Sequence, residues 1–183
     1  MVAGAIGTKT VWAIDASHTV AEFGIKHMMV STTKGRFADV QGTIELDEAD
    51  IANSSVRVEI DVASIDTHDE KRDAHLRSPD FFDAENHPKI TFVSTKIEPE
   101  KGDRFRVMGD LTIRGTTRPV VLDAEFGGRG TTPWGSEVIA YTASTQISRK
   151  DFGLTWNVGL EAGGVLVGDT VKISLEVEAI KQG

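Results

Sequence analysis

Apolar and polar residues alternate along most of this chain. Val56, Val58, Ile60 and Val62 fall on one face of an extended segment, and Ser55, Arg57, Glu59 and Asp61 fall on the other. That is the period of a strand with one apolar and one wet face. The alternation recurs at Phe105, Val107, Leu111 and Ile113, and at Val120, Leu122, Ala124 and Phe126. It recurs again at Val171, Ile173, Leu175 and Val177, set against Lys172, Ser174, Glu176 and Glu178. Weaker stripes predict strands over residues 11–14, 19–25, 37–46, 90–93 and 138–148. The links at 100–103 and 114–117 are too short for a parallel crossover, so the strands they join are antiparallel. Gly115 supplies a positive φ for the second of these turns. The Gly-rich stretch 127–135 reads as a long hairpin loop.

One segment breaks the pattern. Thr67 followed by Glu70 matches a capping box, Asp69 and Glu70 favour the first turn of a helix, and Pro79 blocks continuation. A helix over 67–77 is therefore predicted, with a smaller helical turn at 48–51. About eight or nine strands with one helical insertion give an all-β class and suggest a closed or nearly closed antiparallel β-barrel. Strand counting alone does not separate a barrel from a two-sheet sandwich. A barrel of this size is either filled by its own side chains or holds one small ligand, and the alternation fits both.

At 183 residues and 19.8 kDa, the chain fits one domain over 11–181 behind a short tail at 1–10, with no internal linker or repeat. The absence of cysteine excludes disulfides, thiolate nucleophiles and cysteine-held zinc. A net charge of −8 without a dense basic stripe argues against nucleic acid as a partner. No window of 18 apolar residues predicts a membrane span. The first residues carry no basic region ahead of a short apolar stretch, so the expected location is cytoplasmic, or periplasmic or extracellular if a leader has been removed.

Candidate chemistry is sparse. His68, Asp69, Glu70, Asp73 and His75 lie close in sequence, and a small-ligand or metal-dependent enzyme built on them is the alternative to a binding protein. There is no His-Glu-x-x-His motif, no Gly-x-Ser-x-Gly elbow and no phosphate-cradling glycine loop. The helix also predicts an Asp69–Arg72 ion pair. Arg72, Arg77, Arg114 and Arg149 have Asp73, Asp80, Asp110 and Asp151 as expected partners. Met28 and Met29 are soft residues suited to an irregular apolar surface.

Four groups of residues, in order, resemble the bacterial YceI-like family of lipid-binding proteins. They are Phe23-Gly24-Ile25-Lys26-His27 with Gly35-Arg36-Phe37, the run from Arg72 to Asp83, the run from Gly109 to Thr117, and Arg149-Lys150-Asp151-Phe152-Gly153-Leu154. Asp169 to Glu178 resembles the closing strand. The resemblance implies an extended lipocalin-like antiparallel barrel of about eight strands. It implies binding, storage or transport of a polyisoprenoid or similar amphiphile inside it, and a homodimer. No catalytic residue, metal or cofactor is implied beyond a bound prenyl quinone or polyisoprenol as ligand. Within such a barrel the apolar faces at Val58, Ile60, Val62, Phe105, Val107, Leu111, Ile173 and Leu175 become candidate walls. Phe23, Phe81, Phe82 and Phe92 become candidate rings at one end. His27 joins the ligand-binding set, and His18, His68, Arg72 and His75 are candidate headgroup contacts at the mouth.

Overall fold

The computed structural model describes residues 9–183, so residues 1–8 of the expected tail lie outside the described residues. The strands are β1 (Thr10–Ile14), β2 (Val20–His27), β3 (Ser31–Phe37), β4 (Val40–Leu46), β5 (Ser55–Asp61), β6 (Ile65–Asp66), β7 (Lys89–Pro99), β8 (Arg104–Ile113), β9 (Thr116–Thr131), β10 (Glu137–Ser148) and β11 (Val167–Gln182). Neighbours run β1-β4-β5-β7-β8-β9-β10-β11, all antiparallel, and β11 then pairs back onto β1. The sheet is a closed barrel of eight strands. β2 and β3 extend it. β2 continues the line of β1 along β11, β3 pairs with β2, and the two-residue β6 pairs with the end of β3.

Two interruptions let these long lines bend. Between β1 and β2, Asp15 caps a 3-10 turn at Ala16–His18 by accepting from the Ser17 amide at 2.9 Å. Between β3 and β4, the Asp39 amide donates to the Ser64 hydroxyl at 3.1 Å. The strand predicted over 37–46 is therefore divided, with Phe37 closing β3 and Val40 opening β4. Most of β3 has no apolar stripe, because its sequence Ser-Thr-Thr-Lys-Gly-Arg gives alternation nothing to detect. The expected long loop at 127–135 is also shorter than predicted. β9 runs on to Thr131 through a bulge opposite Ala140 and Tyr141, and the turn is confined to 132–136. The expected helical turn at 48–51 falls at Ile51–Asn53.

The helix α1 spans Glu70–Arg77. Its cap is Asp69, which accepts from the Lys71 and Arg72 amides at 3.0 Å each. Thr67 is not the cap. Its amide and hydroxyl both donate to the buried carboxylate of Asp73, at 2.9 and 2.6 Å. The Arg72 side chain turns away from Asp69 and donates to the hydroxyl and carbonyl oxygens of Thr67, at 2.8 and 2.7 Å. A carboxylate, a hydroxyl and a guanidinium thus fix the start of a helix whose own surface is almost wholly polar. Arg114 donates to the Phe81 carbonyl at 2.8 Å and ties the turn after α1 to the β8–β9 turn.

The β2–β3 hairpin turns at His27–Val30, closed by the Val30 amide donating to the His27 carbonyl at 3.1 Å. Met28 and Met29 have φ of 50° and 62°. Both central residues therefore occupy the left-handed region, where primed hairpin turns favour Asn-Gly and an ordinary side chain costs about 1–2 kcal/mol. Replacing Met28→Asn together with Met29→Gly is expected to stabilise the fold by about 1 kcal/mol. Urea unfolding checks this as a rise in midpoint at constant slope.

Candidate functional site

Inward-facing side chains of the barrel leave two apolar chambers along its axis, of about 330 Å³ and 390 Å³. Val58 on β5, Phe92 on β7, Leu122 on β9 and Leu175 on β11 belong to the walls of both, so the chambers meet at a waist made by these four. Two glycines let rings lie flat against the wall. A Cβ at Gly35 would collide with the Phe23 ring beside it, and one at Gly109 would collide with the Phe92 ring. Neither glycine was identified in the sequence as a wall element, because the signal is the absence of a side chain opposite an aromatic residue.

The first chamber lies under α1. Phe23, Ile60, Leu111 and Ile173 line its strands, and Phe81, Phe82, His75 and Trp156 line its end. The His75 ring meets Trp156 and Phe81 edge to face, with centroids 4.6 and 5.0 Å apart, and its Nε2 lies 2.8 Å from Asp80. His27 and Arg72 also reach this wall. Phe105 and Val107 line the second chamber, where the Tyr141 ring meets Phe105 and Phe126 at 5.7 and 5.9 Å. Burial pushes the Tyr141 phenol up to about 12, so it stays a neutral donor, and it makes no hydrogen bond among the described residues. The rim of this chamber carries a paired contact, with the Arg129 nitrogens donating to the two Glu48 oxygens at 2.8 and 3.3 Å. That hydrogen bond lowers the Glu48 pKa and raises that of Arg129. Arg129 also stacks over the fully buried Trp12 at 5.1 Å. Tyr141, Arg129 and Glu48 were not among the sequence candidates, because they belong to separate strands and loops that only barrel closure brings together.

Three candidates lie elsewhere. Val62 does not line either chamber. β5 ends at Asp61, the chain enters a 3-10 turn at Val62–Ser64, and Val62 is 1% exposed in the packed core. His68 stands outside with a side chain 82% exposed, 3.8 Å from Asp66, and so it does not share a face with His75. His18 sits at the β1–β2 break, its Nδ1 2.9 Å from Asp15 and 3.9 Å from Glu178. Among the described residues Asp15, His18 and Glu178 are the grouping whose ligating atoms come within 4.8 Å of one another. It lies on the outer surface and reads as an ion-pair cluster. The His68–His75 segment forms no such grouping.

The arginines also differ from expectation. Arg149 is 4% exposed and spends its donors on backbone carbonyls, with Gly168 at 2.7 Å, Leu154 at 2.6 Å and Trp156 at 2.9 Å. Its acidic neighbour is Asp169 at 3.7 Å, not Asp151. Burial pushes its pKa down and Asp169 opposes that shift. Arg77 makes no ion pair among the described residues. These motifs are rich in arginine because a planar fork of donors can satisfy several carbonyls in a loop that forms no ladder.

A family model described as a YceI-like domain matches residues 12–179. A UPF0312 protein of Photorhabdus laumondii is 40% identical over 146 residues, covering 80% of this chain and 76% of that one. Among solved structures, Burkholderia cenocepacia BcnA matches with a TM-score of 0.78 at 28% identity, covering 90% of this chain and 98% of that one. A polyisoprenoid binding domain from Saccharophagus degradans matches with a TM-score of 0.67 at 13% identity, covering 93% and 98%, which shows a shared fold.

Arg149→Lys keeps a charge but not the fork, and is expected to cost about 2–4 kcal/mol. The checks are denaturant unfolding and faster proteolytic cleavage within 154–166. For His18, the Asp15 hydrogen bond and then Glu178 raise its pKa above the usual 6.5, and His18 in turn lowers that of Asp15 below 3.8. A raised histidine stabilises below its unfolded value and loses that contribution as pH rises through its folded value. A lowered carboxylate does the reverse on the acid side. The pair therefore contributes most between pH 3.8 and 6.5. NMR titration is expected to place the His18 midpoint above 6.5, and Asp15→Asn is expected to move it down.

Proposed function

The chain belongs to the YceI-like family, and from that premise we propose that it binds a long-chain isoprenoid, such as a prenyl quinone or polyisoprenol, along the barrel axis and stores or carries it. The observation that carries this reading is the pair of apolar chambers joined at Val58, Phe92, Leu122 and Leu175. Two chambers in line suit an elongated ligand better than a compact one. Each methylene drawn from water into such walls contributes about 0.8 kcal/mol, so affinity rises with chain length until both chambers are filled. The polar end lies at the α1 end, where His27, Arg72 and His75 reach the wall. His27 makes no side-chain hydrogen bond among the described residues and is free to donate to a quinone carbonyl or accept from an alcohol.

Sequestration of this kind requires no catalytic group. Release requires the α1 end to open, with Phe81 and Phe82 leaving the chamber while Arg114 and the Thr67–Asp73–Arg72 contacts hold the helix as a hinged cover. The family resemblance supports a homodimer as part of the same reading.

The waist supplies the test. Leu122→Trp fills the junction and leaves each chamber otherwise intact. Affinity for an isoprenol of about eight units is expected to fall about tenfold or more, while one of about two units binds as before. Fluorescence titration with both ligands measures this, and an unchanged thermal melt controls for folding. Equal affinities of the variant and the parent protein for the long ligand would contradict an axial binding mode.

A further inference from the structure

We propose that the tip of the β2–β3 hairpin docks the α1 end of the barrel onto an anionic phospholipid bilayer. The tip is apolar and exposed. Met28, Met29 and Val30 are 46%, 63% and 81% exposed. The neighbouring loop adds Val158 and Val165, at 47% and 37%. This loop is fastened to the hairpin by the Met28 amide donating to the Leu166 carbonyl at 2.8 Å. Half of the exposed large apolar side chains among the described residues fall in this one place. It adjoins the first chamber, whose wall includes His27, Leu166 and Val167.

The turn holds its methionines where hairpins normally place Asn-Gly, with positive φ at both. A conformational cost kept at a position where the side chains touch solvent points to a use for those side chains. Charge then selects the occupant. Residues 23–38 contain Lys26, Lys34 and Arg36 and no acidic residue, in a chain whose net charge is −8. The register sets Lys34 and Lys172 on either side of Gly24, with Lys26 two residues nearer the tip on the same face. Arg36 is 3.8 Å from Asp66. The three lysines have no ion-pair partner among the described residues. An apolar tip inserted at the headgroup boundary, flanked by lysines on the outer face, matches an anionic bilayer surface. A second copy fits poorly, because a symmetric contact would set the same lysines against one another.

Vesicles that contain no isoprenoid test this surface separately from ligand binding. The full chain is co-sedimented with phosphatidylcholine vesicles, with and without about one third phosphatidylglycerol. It is expected to partition onto the anionic vesicles and not onto the neutral ones, and raised salt is expected to release it. The Met28→Asn/Met29→Gly variant is expected to bind about tenfold more weakly while remaining at least as stable as the parent. Lys34→Gln is expected to lose about fivefold. Met28, Met29 and Lys34 do not line the chambers, so isoprenol affinity in solution should stay at the parent value. That separates a failure of docking from a failure of ligand binding. The proposal is overturned if the parent fails to bind anionic vesicles, or if the methionine variant binds them as well as the parent. It is also overturned if the variant's only loss is of self-association seen by analytical ultracentrifugation.

Discussion

The barrel depends on one strand satisfying two lines of partners. β11 pairs along one edge with β10 and along the other with β1 at its C-terminal end and β2 at its N-terminal end. At 16 residues it is roughly 50 Å long, longer than any single strand that meets it on that second edge. The β1–β2 break at Asp15 lets two short strands together match its length. Closure removes the free edges that an open sheet would expose to other chains, and it turns one face of every strand toward a common axis. The enclosed space is a consequence of that closure, and the apolar chambers follow from the residues that alternation delivers to the inside.

The chambers persist because the wall is lined unevenly. Flat aromatic rings over Gly35 and Gly109 thicken the wall without crossing the lumen, while Phe81, Phe82 and Trp156 are concentrated at the α1 end. The polar groups that do approach the interior are largely committed elsewhere. Arg72 and Asp73 fix the start of the helix, and Arg149 satisfies the loop carbonyls at Leu154, Trp156 and Gly168. The carbonyls stabilise the buried guanidinium, and Asp169 at 3.7 Å supplies the opposing charge. Those buried polar contacts hold the helix and the loop that close the apolar chamber.

Strand identity was legible wherever one face was apolar, as at Val56–Ile60, Phe105–Ile113 and Val171–Val177, because burial of one face imposes the period directly. β3 was not legible, since its outward face is polar and its inward positions include Thr33 and Gly35. Val62 was misplaced because alternation continues smoothly through it while the backbone leaves the strand at Asp61. The helix start moved from Thr67 to Asp69 because a buried carboxylate six residues ahead, at Asp73, took the Thr67 hydroxyl. The wall residues could be read from strand parity together with the family resemblance. The second chamber's polar rim could not, since Glu48, Arg129 and Tyr141 meet only through barrel closure.

On the proposed reading, a long hydrophobic interior, a polar end under a short helix and an apolar hairpin beside that end would together serve the uptake and release of a chain-like lipid. It follows that the interior is occupied along its length when ligand is bound. Native mass spectrometry of the purified full chain, followed by organic extraction and identification of what is released, tests this most directly. The account predicts one lipid of long-chain isoprenoid mass per chain. A bare protein that also takes up no member of a panel of long prenyl quinones and isoprenols would contradict it.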